Sequence, residues 1–401
     1  MSHIVVIGAG QAGSSLVAKL RSEGFDGEIT LIGAEPVPPY QRPPLSKKYL
    51  LGEMALERLF LRPEQFYADQ KITLRLGAPV TAIDASAKTV KVGGDVLQYD
   101  QLALTTGSHP RRLPAAIGGA LHGVHVVRDL ADVDGMVPAV EKGGHVLIVG
   151  GGYIGLEAAA VASAKGLRVT VVEMAERILQ RVACPETSDY FRALHQAHGV
   201  EIIEGIGLDR LNGEDHVTSA RLSDGREIDV DFVIVGVGIT PATEAAKMAG
   251  VALENGILVD VHGRTSDPAI WAAGDCAAFP FRDQILRLES VQNAIDQAET
   301  VACNMLGADA DYVPHPWFWS DQYDVKLQIA GLNLGYDQVV VRKTEGAVSH
   351  WYYAKDTLLA VDAMNDPRNY MIGKRLIEAG KSPAPDIIAN PETDMKALLR
   401  P

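Results

Sequence analysis

Short apolar runs ending in glycine alternate with helical stretches through most of the chain. "HIVVIGAGQAGSSLVAKLRSEG" opens with an apolar strand from His3, turns on glycines, then follows helical spacing with Ala12, Leu16 and Leu20 on neighbouring faces. "EITLIGAE" then predicts a second strand, closed by Glu35. The pattern returns at residues 145–173, where "HVLIVGGGYIGLEAAAVASAKGLRVTVVE" again predicts strand, glycine turn, helix and strand, closed by Glu173. "IDVDFVIVGVGITPATEAA" predicts a strand followed by a turn at Gly236, Gly238 and Pro241 that marks a crossing between domains. "GILVDVHGRTSDPAIWAAGDCA" predicts a further strand pair leading to Gly274 and Asp275, and "RLESVQNAIDQAETVACNML" a helix.

The pattern changes near residue 310. "YVPHPWFWSDQYDVKLQIAGL", "QVVVRKT", "VSHWYYAK" and "TLLAVDAMN" alternate as antiparallel strands do, and "PRNYMIGKRLIEAG" follows as a helix. This is a separate α+β domain holding Trp317, Trp319 and Trp351, which are core or interface residues unless one reaches a ligand.

The glycines carry the first chemistry. Gly8, Gly10 and Gly13 form G-x-G-x-x-G between strand and helix, and Gly150, Gly152 and Gly155 repeat it. The first glycine permits the turn, the second leaves room for a pyrophosphate, and the third lets the helix approach the sheet. One such fingerprint is weak evidence. Two complete copies imply two dinucleotides, and FAD with a nicotinamide cofactor is the economical pairing. Glu35 and Glu173 stand where a carboxylate accepts ribose hydroxyls. Glu173 would repel a 2'-phosphate, which favours NADH, although Arg177 lies near enough to meet one.

Other positions stay open on sequence alone. In "YQRPPLSKKYL" a helix can begin at Leu45 after the rigid Pro43–Pro44 bend. Arg42 reaches phosphate, stacks on adenine, or is a surface charge. Lys47 is a surface charge unless its helix packs on a ligand. Glu157 lies in an Ala-rich helix, where it either favours the helix dipole or faces a ligand or cation. Asp275 is placed to hold a polyol hydroxyl near a helix start.

Composition narrows the classes. At 401 residues, two or three domains are the natural expectation. A net charge of -14 argues against nonspecific nucleic-acid binding and a polybasic membrane surface. Cys184, Cys276 and Cys303 are widely spaced, with no C-x-x-C or C-x4-C pair, so neither a cysteine-ligated cluster nor a redox dithiol is expected, and no metal site. The first motif begins at once and no long apolar run follows, so a cytoplasmic protein without stable membrane association is expected.

The set "GAGQAG", "RPPLSK", "TTGS", "GGGYIGLE", "VGVGITP", "WAAGDCA", "RLESVQNA" and "WFWSDQ" resembles the pyridine nucleotide–disulfide oxidoreductase superfamily, and within it the ferredoxin reductases, over nearly the whole chain. The resemblance implies an α/β fold with two Rossmann-like nucleotide-binding domains, the second inserted in the first, plus a C-terminal α+β domain. The implied boundaries are 1–109 and 241–309 for FAD, 110–240 for NAD, and 310–401 for the C-terminal domain. It places Glu35, Arg42, Lys47, Arg128 and Asp275 around FAD, the "ESVQ" run with Ser290 and Val291 near the isoalloxazine, and Glu157 and Glu173 on the nicotinamide side; the fingerprint residues Gly8, Gly10, Gly13, Gly150, Gly152 and Gly155, with Ala12, Val80, Tyr153, Ile154, Gly238, Gly274 and Trp319, complete the expected cofactor-binding set. Lys47 and Glu157 are the implied catalytic pair, buried together beside the flavin. "RPPLSKKYL" has no cysteine where disulfide reductases carry their redox pair, which points to electron transfer to an external iron–sulfur protein. The implied partner is a [2Fe–2S] ferredoxin serving a cytochrome P450 or a related oxygenase. A rubredoxin reductase and a peroxide-forming NADH oxidase are the enzymatic alternatives, and an NADH-responsive interaction protein the non-enzymatic one. Arg282, Arg287 and Lys326 are candidate docking cations.

Overall fold

A computed structural model describes residues 2–400. The chain divides into two compact units. The first comprises the residues up to Arg42, Ala55–His109 and Ile239–Pro314. The second comprises Pro43–Met54, Pro110–Gly238 and the residues from His315 onward.

The first unit is built on a five-stranded parallel sheet in the order Ile270–Ala272, Gln101–Leu104, His3–Ile7, Glu28–Ile32, Ile72–Arg75. The central strand is almost wholly apolar because both faces are covered, as expected of parallel strands. Helices Gln11–Ser22 and Val291–Met305 pack together on one face, around Leu16, Leu20, Ala298 and Val301. Gly274 makes the close approach possible: its φ is +84°, and a Cβ there would lie 3.0 Å from the Ala12 Cβ. A three-stranded antiparallel sheet, Val80–Asp84, Thr89–Val92 and Asp95–Gln98, covers the other face with Val90 and Val92 in the core. The hydrophobic pattern alone does not single it out, since its strands are short and mostly exposed.

The second unit repeats the parallel design in the order Glu201–Glu204, Arg168–Glu173, His145–Val149, Phe232–Val235, Val124–His125. The registers of the two sheets correspond. Ile7 pairs with Ile32 and the Gly8 N–H donates to the Ile32 carbonyl at 2.9 Å; Val149 pairs with Val172 and the Gly150 N–H donates to the Val172 carbonyl at 2.8 Å. Each glycine loop thus leaves the carboxyl end of a central strand, the usual ligand edge of such sheets.

The same unit holds a five-stranded antiparallel sheet in the order Trp317–Gln322, Val325–Gly331, Thr357–Met364, Ala347–Ala354, Gln338–Thr344, backed by helix Pro367–Glu378. Every strand and the helix expected after residue 310 are present. Trp351 is fully buried in its core, whereas Trp317 and Trp319 keep partial exposure and lie 5.4 Å apart, ring to ring. Two local expectations change. The strand before Glu35 ends at Ile32, so Glu35 stands on the loop beyond it. The segment after Pro44 is a single wide helical turn, Leu45–Tyr49, in which Lys47 departs from helical geometry at φ −131°, ψ −111°. No helix of the described residues is long and apolar enough to cross a membrane.

Gly373 lets the last long helix sit on the antiparallel sheet. A Cβ there would lie 2.7 Å from Val361 Cγ1 and 3.2 Å from the Trp351 ring. Gly373→Val is therefore expected to destabilise this part of the protein by about 1–3 kcal/mol through overpacking. Denaturant unfolding followed by Trp emission measures it; an unchanged midpoint would show that the helix shifts freely.

Candidate nucleotide and charge-pair sites

In the first unit, Gly8 adopts φ +114°, and a Cβ on it would meet the Thr105 carbonyl at 2.2 Å. Gly13 lies so close to the same loop that its Cβ would fall 2.0 Å from the Gly8 carbonyl. Gly10 is different: a Cβ there would touch nothing within 4 Å, and the helix that it caps has no side-chain cap. The loop therefore presents helix N–H groups without a side-chain cap to an open space beside Gly10, which fits a pyrophosphate.

Glu35 faces this region from its loop. Its carboxylate accepts from the Tyr40 hydroxyl at 2.5 Å and from the Arg42 guanidinium at 2.6 Å, and that guanidinium lies over the Tyr40 ring. The two partners fix the carboxylate while each oxygen keeps a second lone pair, which fits two ribose hydroxyls. Asp275 sits just beyond strand Ile270–Ala272, where the Ser108 hydroxyl donates to it at 3.0 Å. Ser290 caps helix Val291–Met305 by accepting from the Asn293 N–H at 3.1 Å. Ala12 is buried against Gly274 and serves the helix contact itself. Val80 opens the antiparallel strand Val80–Asp84.

The second unit has the same loop in Gly150, Gly152 and Gly155. A Cβ on Gly155 would lie 2.1 Å from the Gly150 carbonyl, whereas one on Gly152 would meet nothing within 4 Å. Helix Tyr153–Ala164 again starts without a side-chain cap. Ile154, just past the turn, is 46% exposed. Tyr153 packs on Phe318, with ring centroids 5.1 Å apart. Gly238 adopts φ +99° beside Arg111 and Arg181, and Arg128 precedes helix Leu130–Lys142.

Glu173 is held by backbone instead of side chains. It accepts from the Gly151 N–H at 2.7 Å and the Ala175 N–H at 2.8 Å. Arg177 does not compete for the same ligand. Its guanidinium donates to the Ala183 and Cys184 carbonyls and to the Ser188 hydroxyl.

Lys47 and Glu157 come together as expected. The ammonium lies 2.9 Å from Glu157 Oε1, and both side chains are largely buried. Glu157 also accepts from the Ser46 hydroxyl at 3.0 Å and the Ser320 hydroxyl at 2.7 Å. Burial pushes the Glu157 carboxyl up, while the Lys47 ammonium and the two hydroxyls pull it back. The non-helical Lys47 backbone belongs to this site, since it sits in the wide turn that also delivers Ser46.

Ser46 and Ser320 are absent from the sequence expectations, although both lie in motifs already singled out. The alternation of "WFWSDQ" places Ser320 and Gln322 on one strand face, opposite Trp319. Tyr40 is missed similarly, two residues before Arg42. Arg287 leaves the docking list: it is nearly buried and paired with Glu289 at 2.5 Å.

Two parallel sheets, each with an open glycine loop at its carboxyl edge and a carboxylate held nearby, make a scaffold suited to two dinucleotides. The pyridine nucleotide-disulphide oxidoreductase family model matches residues 2–298, and a reductase C-terminal model matches residues 317–399. The chain belongs to the pyridine nucleotide-disulphide oxidoreductase family. It is 41% identical to rhodocoxin reductase of Rhodococcus erythropolis, over 99% of this chain and 94% of that one. It is similar to the ferredoxin reductase for the CYP199A2 system from Rhodopseudomonas palustris, at 39% identity and a TM-score of 0.96 over 100% of both chains. It is also similar to the reductase in the covalent putidaredoxin reductase–putidaredoxin complex, at 36% identity and a TM-score of 0.95 over 99% of this chain and 98% of that one.

Removing Lys47 leaves Glu157 buried without its counter-charge. Lys47→Met is expected to cost about 3 kcal/mol near neutral pH. The loss should shrink as pH falls, because a protonated Glu157 no longer needs the ammonium. Lys47→Met combined with Glu157→Gln should recover most of the stability. Chemical denaturation of the three proteins across pH checks this, and a double variant no better than Lys47→Met would refute the pairing.

Proposed function

We propose that this protein is an NADH-dependent ferredoxin reductase that takes a hydride from NADH and delivers single electrons to a [2Fe–2S] ferredoxin serving a cytochrome P450 or related oxygenase. The observation that carries the reading is the pair of glycine cradles, each with its own fixed carboxylate, in a chain that aligns over 94% of rhodocoxin reductase and 100% of the ferredoxin reductase for the CYP199A2 system. The cradle at Gly10 with Glu35 takes FAD, and the cradle at Gly152 with Glu173 takes NADH. Bound FAD supplies the change from two-electron to one-electron transfer.

The remaining work is done by the chain. The free helix N–H groups beyond Gly10 and Gly152 hold pyrophosphates and fix where each dinucleotide lies. Tyr40 and Arg42 hold the Glu35 carboxylate for one ribose, and the Gly151 and Ala175 N–H groups hold the Glu173 carboxylate for the other. Lys47, paired with Glu157, would supply a positioned positive charge to a bound flavin, and Glu157 would limit it. None of these groups needs to exchange a proton for the hydride step. The three unpaired cysteines support a cytoplasmic site of action.

The decisive experiment measures NADH oxidation by FAD-loaded protein with a panel of purified ferredoxins and rubredoxins. Reduction of a [2Fe–2S] ferredoxin well above the rate with any rubredoxin is expected; the opposite order would make it a rubredoxin reductase.

Nicotinamide choice is expected to rest on Glu173. Alanine would also release the two loop N–H groups, so Glu173→Gln is the cleaner change: it removes the charge and keeps one acceptor. The NADH-over-NADPH ratio of kcat/KM should fall by about 1–3 kcal/mol, roughly 5- to 150-fold. An unchanged ratio would move the discrimination elsewhere.

A further inference from the structure

We propose that Ser320, Gln322 and His195 form a one-way hydrogen-bond relay whose protons all point toward Glu157, and that this relay fixes the carboxylate that governs Lys47. The proposal rests on the reading of Lys47 as a charge acting on the flavin.

The relay is continuous and buried. Ser320 Oγ lies 2.7 Å from Glu157 Oε1, Gln322 Nε2 lies 3.1 Å from Ser320 Oγ, and His195 Nε2 lies 2.8 Å from Gln322 Oε1. Ser320, Gln322 and His195 are each 0% exposed. The Tyr323 hydroxyl stands 3.3 Å from His195 Nδ1, and the His198 ring stacks on Tyr323 with centroids 3.7 Å apart. Tyr323 holds a left-handed backbone, φ +54°, in the two-residue turn after strand Trp317–Gln322. A left-handed backbone is what a two-residue hairpin turn requires, and here it sets the Tyr323 side chain beside His195.

The direction of every bond follows from one fact. An ionised carboxylate only accepts, so Ser320 must spend its single proton on Glu157. Its oxygen can then only accept from Gln322, which must present its NH2 group to the serine. The amide oxygen of Gln322 consequently faces His195 and requires a proton on Nε2. A neutral ring protonated at Nε2 has a bare Nδ1, which accepts from Tyr323. Burial pushes the His195 pKa down to about 4, so the neutral ring persists at physiological pH. Aligned bonds of this kind polarise one another in a low-dielectric interior and favour the charged end. Ser320 is a positioning residue for Glu157, and Gln322 and His195 are positioning residues for Ser320.

The test combines two readouts on FAD-loaded protein. Long-range 1H–15N spectra of 15N-histidine-labelled protein, with His195→Gln to assign the signals, report the ring tautomer. A single neutral ring protonated at Nε2 is expected; a proton on Nδ1 alone, or a charged ring at neutral pH, would overturn the relay. Ser320→Ala should shift the His195 ring signals although it does not touch that ring, while Ser320→Thr should restore them. Ring signals that ignore Ser320→Ala also overturn it. In parallel, the flavin midpoint potential should rise in Ser320→Ala, in the direction of Glu157→Gln, and stay near the parent value in Ser320→Thr. Lys47→Met should lower it. No response to Lys47→Met would defeat the flavin role of the lysine, yet the tautomer would still judge the relay. A response to Lys47→Met but none to Ser320→Ala would defeat the relay alone.

Discussion

A carboxylate buried in an alanine-rich helix is the constraint around which the second unit is arranged. Glu157 is 5% exposed, and its helix offers it no partner of its own. Left alone it would take up a proton or disrupt its surroundings. Instead it is met by Lys47 and Ser46 from the wide turn Leu45–Tyr49 and by Ser320 from strand Trp317–Gln322. These segments are more than a hundred residues from Glu157 in the sequence on either side, and the carboxylate ties them to one helix. The unusual backbone of Lys47 makes sense in this light. A regular helix would set Ser46 and Lys47 about 100° apart, whereas both side chains reach the same carboxylate here.

The two nucleotide units share a loop but differ in how they hold their acidic residue. Glu173 is the last residue of its strand and lies within reach of two backbone N–H groups in the adjoining turns. Glu35 stands three residues past its strand and is held by Tyr40 and Arg42. The backbone cage has acceptor-only chemistry built into it, and any residue there other than a short-range acceptor would leave loop N–H groups unsatisfied. The side-chain cage places a cation next to the Glu35 carboxylate. The Glu35 carboxylate is therefore charge-compensated by Arg42, whereas Glu173 is held by backbone N–H groups that carry no full charge.

Much of this was legible because glycine spacing and hydrophobic period are local properties. Gly8, Gly10 and Gly13 could be assigned separate duties before any coordinates, and the structure gives each a different environment. The antiparallel strands after residue 310 announced themselves by alternation. The antiparallel strands at 80–98 did not, because they are only four or five residues long and mostly exposed, with few buried apolar positions such as Val90 and Val92 to mark a period. The charge pair was legible only through resemblance: Lys47 and Glu157 lie 110 positions apart, and neither neighbourhood names the other. Ser320 and Gln322 stood inside a quoted motif and were still missed. Tryptophan drew attention as a ligand contact, while a serine and a glutamine have no distinctive pattern until a buried carboxylate faces them.

The arginine beside Glu173 shows what coordinates add to a cofactor argument. On sequence alone, Arg177 stands close enough to cancel the carboxylate and admit a 2'-phosphate. Its guanidinium is instead spent on the Ala183 and Cys184 carbonyls and on Ser188. That turn is itself anchored, since the Cys184 N–H donates to the Tyr352 hydroxyl at 3.0 Å. Tyr352 and Thr187 both donate to the fully buried Asp362, whose pKa burial raises to about 6. Freeing Arg177 for a phosphate would take the donor from the buried Ala183 carbonyl, a cost of about 1–3 kcal/mol, whereas the Cys184 carbonyl keeps the Ser188 N–H. A phosphate contact on an exposed loop gains about 0–1 kcal/mol, less than that cost. The arginine is held by its own turn, and the charge left at the end of this strand is the Glu173 carboxylate's.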